Sequence, residues 1–425
     1  MPMSFNLRHL RAFISVAEAG SATRASEHLC RAQSAVTRSV HELESYFGVE
    51  LFERKATGML CNAFGSALLY RGRRAIHELE QGVAEVASKS ADPQARARTR
   101  VPAALLSERR LAILVNLAKH GHMPTVAKLL GISQPAVSAG VNDLEGDLGV
   151  ALFRRTSKGV VATEPGVALL FRVKRALMEL RHVEAELGAI KGATEGKVVI
   201  GALPLGRTQI LPNAILAVLS RHPLLRIETI EAPFDTLANR LRAGDIDFIF
   251  GALRPADYAR DLKGEPLLND SMSIVVRNGH PLGRRKNLSL QDLDGLSWVL
   301  ANPHTPARRL FSQSFCLQGL TPPAPAVETS DLALLRGLLL RSDMATAIST
   351  RQLEFEIGNG TLQALDISLP STTRVIGLIQ RAESKPSPGA SALMAAIRDV
   401  VAEIRRPKAP APQDVLRPVG EAMVA

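Results

Sequence analysis

A chain of 425 residues with 46% hydrophobic residues is too long for one ordinary core and calls for two to four domains of roughly 100–200 residues each. Its net charge of +11 is uneven: residues 1–200 hold 27 Lys and Arg against 19 Asp and Glu, while residues 201–425 hold 25 against 22, so a polyanion such as DNA is a natural partner of the first half, although basic surface alone can be just a solvated face. No run of about 18 apolar residues argues for a membrane span. The start MPMSFNLRHLRAF carries no export-signal pattern, and Cys30, Cys61 and Cys316 are too widely spaced for a zinc motif or disulfide framework. The expectation is a cytoplasmic protein without metal or cofactor and with no membrane partner.

The first elements in chain order occur twice. Ala32 to Arg54 (AQSAVTRSVHELESYFGVELFER) aligns without a gap on Ser133 to Arg155 (SQPAVSAGVNDLEGDLGVALFRR), an offset of 101 residues. The register persists on both sides: Leu10, Ala17, Gly20 and Leu29 match Leu111, Ala118, Gly121 and Leu130, and Gly65, Leu68, Leu69 and Arg71 match Gly166, Leu169, Leu170 and Arg172. A whole unit is duplicated. In the second copy, apolar stripes at Leu111, Leu114, Val115 and Ala118 and at Val126, Ala127, Leu129 and Leu130 predict two short helices stopping at Gly121 and Gly131. Ser133 caps a third helix bearing Val137, Val141, Leu144 and Leu148. That order is a helix-turn-helix.

VALFRRTSKGVVAT then reads as a β-wing turning at Ser157-Lys158-Gly159, and a long helix capped by Thr163 runs to about Ile190. The first copy repeats this with a wing at Lys55-Ala56-Thr57-Gly58 and a long helix from about Phe64 to Val86. The expected domains are a first winged helix-turn-helix module with its long helix at 5–87, a solvated linker at 88–104, and a second such module at 105–192. From Lys197 the pattern changes. KVVIGA, LRIETIEA and DFIFGA read as strands of a parallel α/β sheet alternating with helices. SMSIVVRNGHPL opens a second group, and TTRVIGLIQR with a helix ending near Arg406 closes it, giving two lobes with a cleft across 195–406. Residues 407–425 read as a disordered tail.

These residues resemble the LysR-type family of bacterial regulators. In the second copy the resemblance rests on Ser133-Gln134-Pro135-Ala136-Val137-Ser138, Leu144-Glu145, Leu148-Gly149, Leu152-Phe153, Arg155, Thr163 and Gly166. In the first it rests on Gln33-Ser34-Ala35-Val36-Thr37, Leu43-Glu44, Gly48-Val49, Leu51-Phe52 and Arg54. Residues 195–405 resemble the family's effector domain, and VVIGALPLGRTQILP, the strand ending FGALRP and GHPL look most like the branch regulating sugar-binding proteins. The fold class implied is multidomain: two all-α winged helix-turn-helix modules with long linker helices, then an α/β two-lobed domain similar to type 2 periplasmic binding proteins. The departure is the extra module, since most members have one.

The resemblance implies a transcriptional regulator whose partners are double-stranded DNA, a small-molecule effector that is a sugar or an aromatic or organic acid, further copies of itself in a homodimer or homotetramer, and RNA polymerase. The expected base-reading residues are Gln33, Ser34, Thr37 and Arg38 in the first copy and Gln134, Pro135 and Ser138 in the second. Arg54, Arg155 and Lys158 of the wings are expected at phosphates or the minor groove. Cys30, in place of a turn glycine, and Arg31, in place of an apolar residue, leave open whether the first copy keeps its turn and reads DNA.

Effector-binding candidates are Pro204, Leu205, Gly206, Arg207 and Thr208 in the loop after the first strand, Phe234 and Ala252 at later strand ends, and Thr305 and Ser330 from the second lobe; Arg207 reads equally as surface, and Thr305 and Ser330 equally as N-caps. An enzyme is disfavoured: the chain has no nucleophile elbow, metal-spaced cluster or phosphate-binding glycine loop. The rival among binding proteins is an architectural DNA protein that needs no effector.

Overall fold

The computed structural model describes residues 6–55, 58–89, 101–255 and 258–405. Most of the expected linker and the expected tail at 407–425 lie outside the described residues, as do the side chains of Arg54 and Lys55.

The two copies fold in the same order. In the first, α1 (Leu7–Ala19), α2 (Ala22–Leu29) and α3 (Gln33–Phe47) precede the wing strands β1 (Phe52–Lys55) and β2 (Gly58–Cys61) and the long helix α4 (Ala63–Ser88). In the second, α5 (Glu108–His120), α6 (Met123–Leu130) and α7 (Gln134–Leu148) precede β3 (Phe153–Thr156), β4 (Gly159–Ala162) and the long helix α8 (Glu164–Ile190). Matching residues make matching bonds. Glu44 accepts from the Leu51 N–H at 3.0 Å as Glu145 accepts from the Leu152 N–H at 2.7 Å, fixing the entry to each wing. Asn62 and Thr163 cap the long helices, accepting from Gly65 and Gly166. Both glycines are obligatory, because a Cβ would overlap the carbonyl oxygen of Leu51 or Leu152.

The turn between α2 and α3 survives the loss of its glycine. Gly131 takes φ 64° and ψ 35°, and Cys30 takes φ 51° and ψ 47°. The Arg31 N–H reaches the Ser26 carbonyl at 3.0 Å, as the Ile132 N–H reaches Ala127 at 3.0 Å. A side chain in this left-handed region costs roughly 1–2 kcal/mol. Cys30→Gly should therefore raise stability by about 1 kcal/mol in urea unfolding; an unchanged midpoint would mean the turn carries no strain.

The two modules share one core. Leu10, Phe13, Val36, Leu43, Leu68 and Leu79 of the first are continuous with Leu114, Val137, Leu144, Leu169 and Val173 of the second. The last residues of the expected linker join it: Val101 and Ala104 are buried, and the Ala104 N–H donates to Asp147, so this stretch packs where a solvated linker was expected.

Beyond α8, the chain folds into a domain of two lobes. The first is built from β5 (Gly196–Ala202), α9 (Ile210–Arg221), β6 (Leu225–Ile230), α10 (Phe234–Arg242) and β7 (Phe248–Ala252). The chain crosses to the second lobe along β8 (Leu262–Asp270). That lobe is centred on β9 (Ser273–Arg277), paired antiparallel with β12 (Thr346–Ile348) and β13 (Leu362–Ala364). A short parallel pair, β10 (Val299–Leu300) and β11 (Val327–Glu328), and the helices α11 (Pro306–Cys316), α12 (Leu332–Leu339) and α13 (Glu354–Gly358) complete it. The chain returns along β14 (Arg374–Arg381) to the closing helix α14 (Pro388–Arg405). The first sheet has the order β6-β5-β7-β14-β8. Its first three strands are parallel, as expected, but β14 runs antiparallel to both β7 and β8, making the sheet mixed. Among the described residues no helix is long and apolar enough to cross a membrane.

Candidate DNA interface and effector cleft

α4 and α8 lie antiparallel, held by an ion network that repeats itself at the 101-residue offset. Arg71 donates to Glu179 at 2.7 Å and to Glu186 at 2.8 Å. Its counterpart Arg172 donates to Glu78 at 3.1 Å and through Nε to Glu85 at 2.9 Å, and those two carboxylates are the counterparts of Glu179 and Glu186. Arg74 pairs with Glu179 at 2.9 Å as Arg175 pairs with Glu78 at 2.6 Å. When residue i meets j and the counterpart of i meets the counterpart of j, the contact is isologous, the mark of a two-fold interface. Here both halves belong to one chain.

The two-lobed domain breaks this symmetry. Arg71 also donates to the carbonyls of Lys385 and Pro386, at 2.9 and 3.1 Å, and is fully buried, whereas Arg172 remains 22% exposed. Along α8, Lys174 pairs with Asp245 at 2.8 Å and His182 with Asp247 at 3.1 Å. Asp247 also accepts from the Val199 N–H, linking this seat to β5. Burial pushes the Glu179 carboxyl up, but the hydrogen bonds and charges of Arg71 and Arg74 outweigh it and hold the group below the usual carboxylate value.

Glu108, at the start of α5, is in the opposite condition. One carboxyl oxygen is buried without a hydrogen-bond partner among the described residues, and burial, reinforced by the charge of Glu184, raises its pKa from 4.5 to about 7. Because the folded value is the higher, ionisation opposes folding: nothing is lost below pH 4.5, the penalty grows between 4.5 and 7, and it is complete above 7. Glu108→Gln should raise the melting temperature at pH 8 and lose that advantage by about pH 4.5. A pH-independent difference would contradict this.

The base-reading candidates stand at the exposed starts of α3 and α7. Gln33, Ser34 and Arg38 are exposed and Thr37 half-buried; Gln134 and Pro135 are exposed and Ser138 half-buried. In the wings Arg155 and Lys158 are exposed, and Arg54 sits opposite Met59 in the strand register. Leu43, Leu51, Phe52, Leu144, Leu152 and Phe153, read as core, are all buried.

In the cleft several candidates are already engaged. Arg207 pairs with Glu231, and the Thr208 hydroxyl donates to the Arg351 carbonyl at 2.9 Å, bridging the lobes. Leu205 and Gly206 are buried, Pro204 is exposed, and Ala252 is half-buried at the end of β7. Thr305 caps α11 by accepting from the Arg308 N–H at 3.3 Å. Ser330 lies exposed two residues before α12, whose cap is Asp331. Phe234 is buried, with the Arg254 guanidinium 4.2 Å from its ring centroid.

Arg254 went unremarked in the sequence. It has no ion-pair partner among the described residues; its guanidinium donates to the Ala252 carbonyl at 3.3 Å. Burial pushes the guanidinium below its usual value; Tyr258 and Asp235 push it back up, while the like charges of Arg309, from the second lobe, and Arg374 push it down again. Arg374 is itself paired with Asp270 at 3.1 Å. The signal available was FGALRP, where an arginine stands two residues beyond a strand's carboxyl end.

Residues 7–66 and 109–167 match the model of the bacterial regulatory helix-turn-helix proteins of the lysR family, and residues 191–402 match the LysR substrate binding domain. The transcriptional regulator GalR of Pseudomonas putida is 49% identical over 398 residues, covering 94% of this chain and 98% of that protein. The chain belongs to the LysR family.

Other LysR relatives include GbpR of Rhizobium radiobacter, 30% identical over 61% of this chain and 86% of its own. Among solved LysR structures, a full-length OxyR variant of Pseudomonas aeruginosa covers 69% of this chain and 93% of its own at a TM-score of 0.54 and 21% identity. CbnR bound to its target DNA covers 69% and 99% at a TM-score of 0.50 and 21% identity. Those structures leave about a third of this chain unmatched, whereas the GalR alignment is long enough to include both modules. The similar proteins are named as regulators of transcription, not as enzymes.

Proposed function

We propose that this LysR-type regulator grips double-stranded DNA with both winged modules and senses an organic acid between the lobes of its effector domain. The observation that carries the choice of effector is Arg254: a half-buried guanidinium that makes no ion pair among the described residues, its burial offset only in part by the nearby Tyr258 and Asp235 and opposed by Arg309 and Arg374. A ligand carboxylate would give this guanidinium charge-assisted hydrogen bonds. A neutral sugar is the second reading; it fits the loop at Thr208 but offers Arg254 no charge. Pro204, Leu205, Gly206, Arg207, Ala252, Thr305 and Ser330 are the candidate walls around this centre.

Because α4 and α8 already cover each other, a homodimer or homotetramer forms through other surfaces and carries two modules per chain. We place the protein in the cytoplasm, with access to DNA and to RNA polymerase. The test is thermal unfolding with a panel of aromatic and aliphatic acids and of neutral sugars. A ligand at roughly 100 times its Kd adds about 2.7 kcal/mol; stabilisation by acids supports the reading, by sugars alone replaces the effector class, and by neither favours an effector-independent protein.

A further inference from the structure

We infer that a single chain is a complete reader of two DNA half-sites, and that the two half-sites differ in sequence, so that the chain lies on its operator in one orientation. The inference rests on the reading of both modules as DNA-binding.

The ion network supplies the first part. Arg71 with Glu179 and Glu186, and Arg172 with Glu78 and Glu85, make an isologous contact inside one chain. The cores of the two modules run together through the same helices. A two-fold pairing of modules is what a duplex of two inverted half-sites requires, and here it needs no second chain.

The surfaces of the two reading helices supply the second part. Both begin with an exposed glutamine, Gln33 and Gln134, suited to adenine. They then diverge. Arg38 has a side chain 82% exposed and, among the described residues, a 3.6 Å pair with Glu42, a surface contact that DNA can displace. Its counterpart is Ala139, also exposed. A guanidinium can take guanine O6 and N7 together, whereas a methyl group can only touch thymine methyl. Ser34 has Pro135 as its counterpart in the second module. In the turn Arg31 is exposed where Ile132 is half-buried, adding a phosphate ligand to the first module alone. The effector domain, seated on Arg71 and not on Arg172, then faces one chosen flank of the operator.

The experiment is selection of bound duplexes from a random library by the full-length chain, followed by titration of the recovered duplex. Two arms of unlike sequence are expected, each two-arm duplex being filled by the module pair of one chain whether or not that chain belongs to an oligomer. Arg38→Ala should relax a guanine preference in one arm by roughly 5- to 100-fold and leave the other arm unchanged. Ala139→Arg should bring the second arm toward the first. Both positions are exposed, so unchanged unfolding curves certify the fold. Two identical arms or a single arm would overturn the inference while leaving DNA binding intact. No enriched duplex at all would overturn the underlying reading and this inference with it.

Discussion

Replacing Arg71 by methionine should destabilise the chain by about 3 kcal/mol, at the low end of the roughly 3–5 kcal/mol typical of breaking a buried ion pair from one side. The side chain is fully buried, and its loss strands Glu179 and Glu186 together with the carbonyls of Lys385 and Pro386. The cost stays at the low end because Arg74 still holds Glu179 at 2.9 Å and Lys385 still holds Glu186 at 3.3 Å. Arg172→Met is the internal control. Its guanidinium is 22% exposed and makes the same pattern of bonds without the effector-domain carbonyls, so about 1 kcal/mol is expected. Equal losses for the two variants would mean that the effector domain does not lock this end.

The acid dependence follows from the sign of the Glu179 shift. A carboxyl held below its unfolded value contributes stability that is present above about pH 4.5 and fades as pH falls through the folded value. The deficit of Arg71→Met should therefore be largest near neutrality and shrink in acid. Urea unfolding at about pH 7 and about pH 4 reads both effects.

The second large effect is expected on ligand binding. Arg254→Ala should weaken a carboxylate effector by about 10- to 100-fold, since a hydrogen-bonded charge contributes roughly 1.5–3 kcal/mol. The same change should leave the stability of the ligand-free protein within about 1 kcal/mol, because relief of burial and of the repulsion from Arg309 and Arg374 offsets the loss of Asp235, Tyr258 and the Ala252 carbonyl. Loss of stability with undiminished ligand affinity, measured by calorimetry and thermal unfolding, would make Arg254 a packing residue on Phe234 instead.

Much of this was legible because the repeat compares the chain with itself. The wings, caps and recognition helices were readable from glycines, Thr163 and Ser133 and from apolar spacing, all of which act within a few residues. What escaped depends on contacts far apart in sequence. Nothing local shows that Arg71 meets Glu186, although the matched Arg71 and Arg172 were visible in the offset alignment and could have been asked for matched acids. The antiparallel return of β14 escaped because an apolar strand reads alike in either direction. Thr208 and Arg207 carry the right chemistry for a ligand, but their bonds to Arg351 and Glu231 come from the second lobe and from beyond β6. The doubt attached to Cys30 is resolved in favour of an intact turn, because its backbone adopts the conformation of Gly131 at a modest cost.

Whether both modules of one chain engage DNA together is tested most directly by hydroxyl-radical footprinting of the full-length protein on DNA upstream of its own gene, comparing the unaltered chain with the Gln33→Ala/Arg38→Ala double variant. Two protected segments are expected for the unaltered chain, with loss or weakening of one in the variant. A footprint identical for both proteins would show that the first module is a structural partner of the second and does not read DNA.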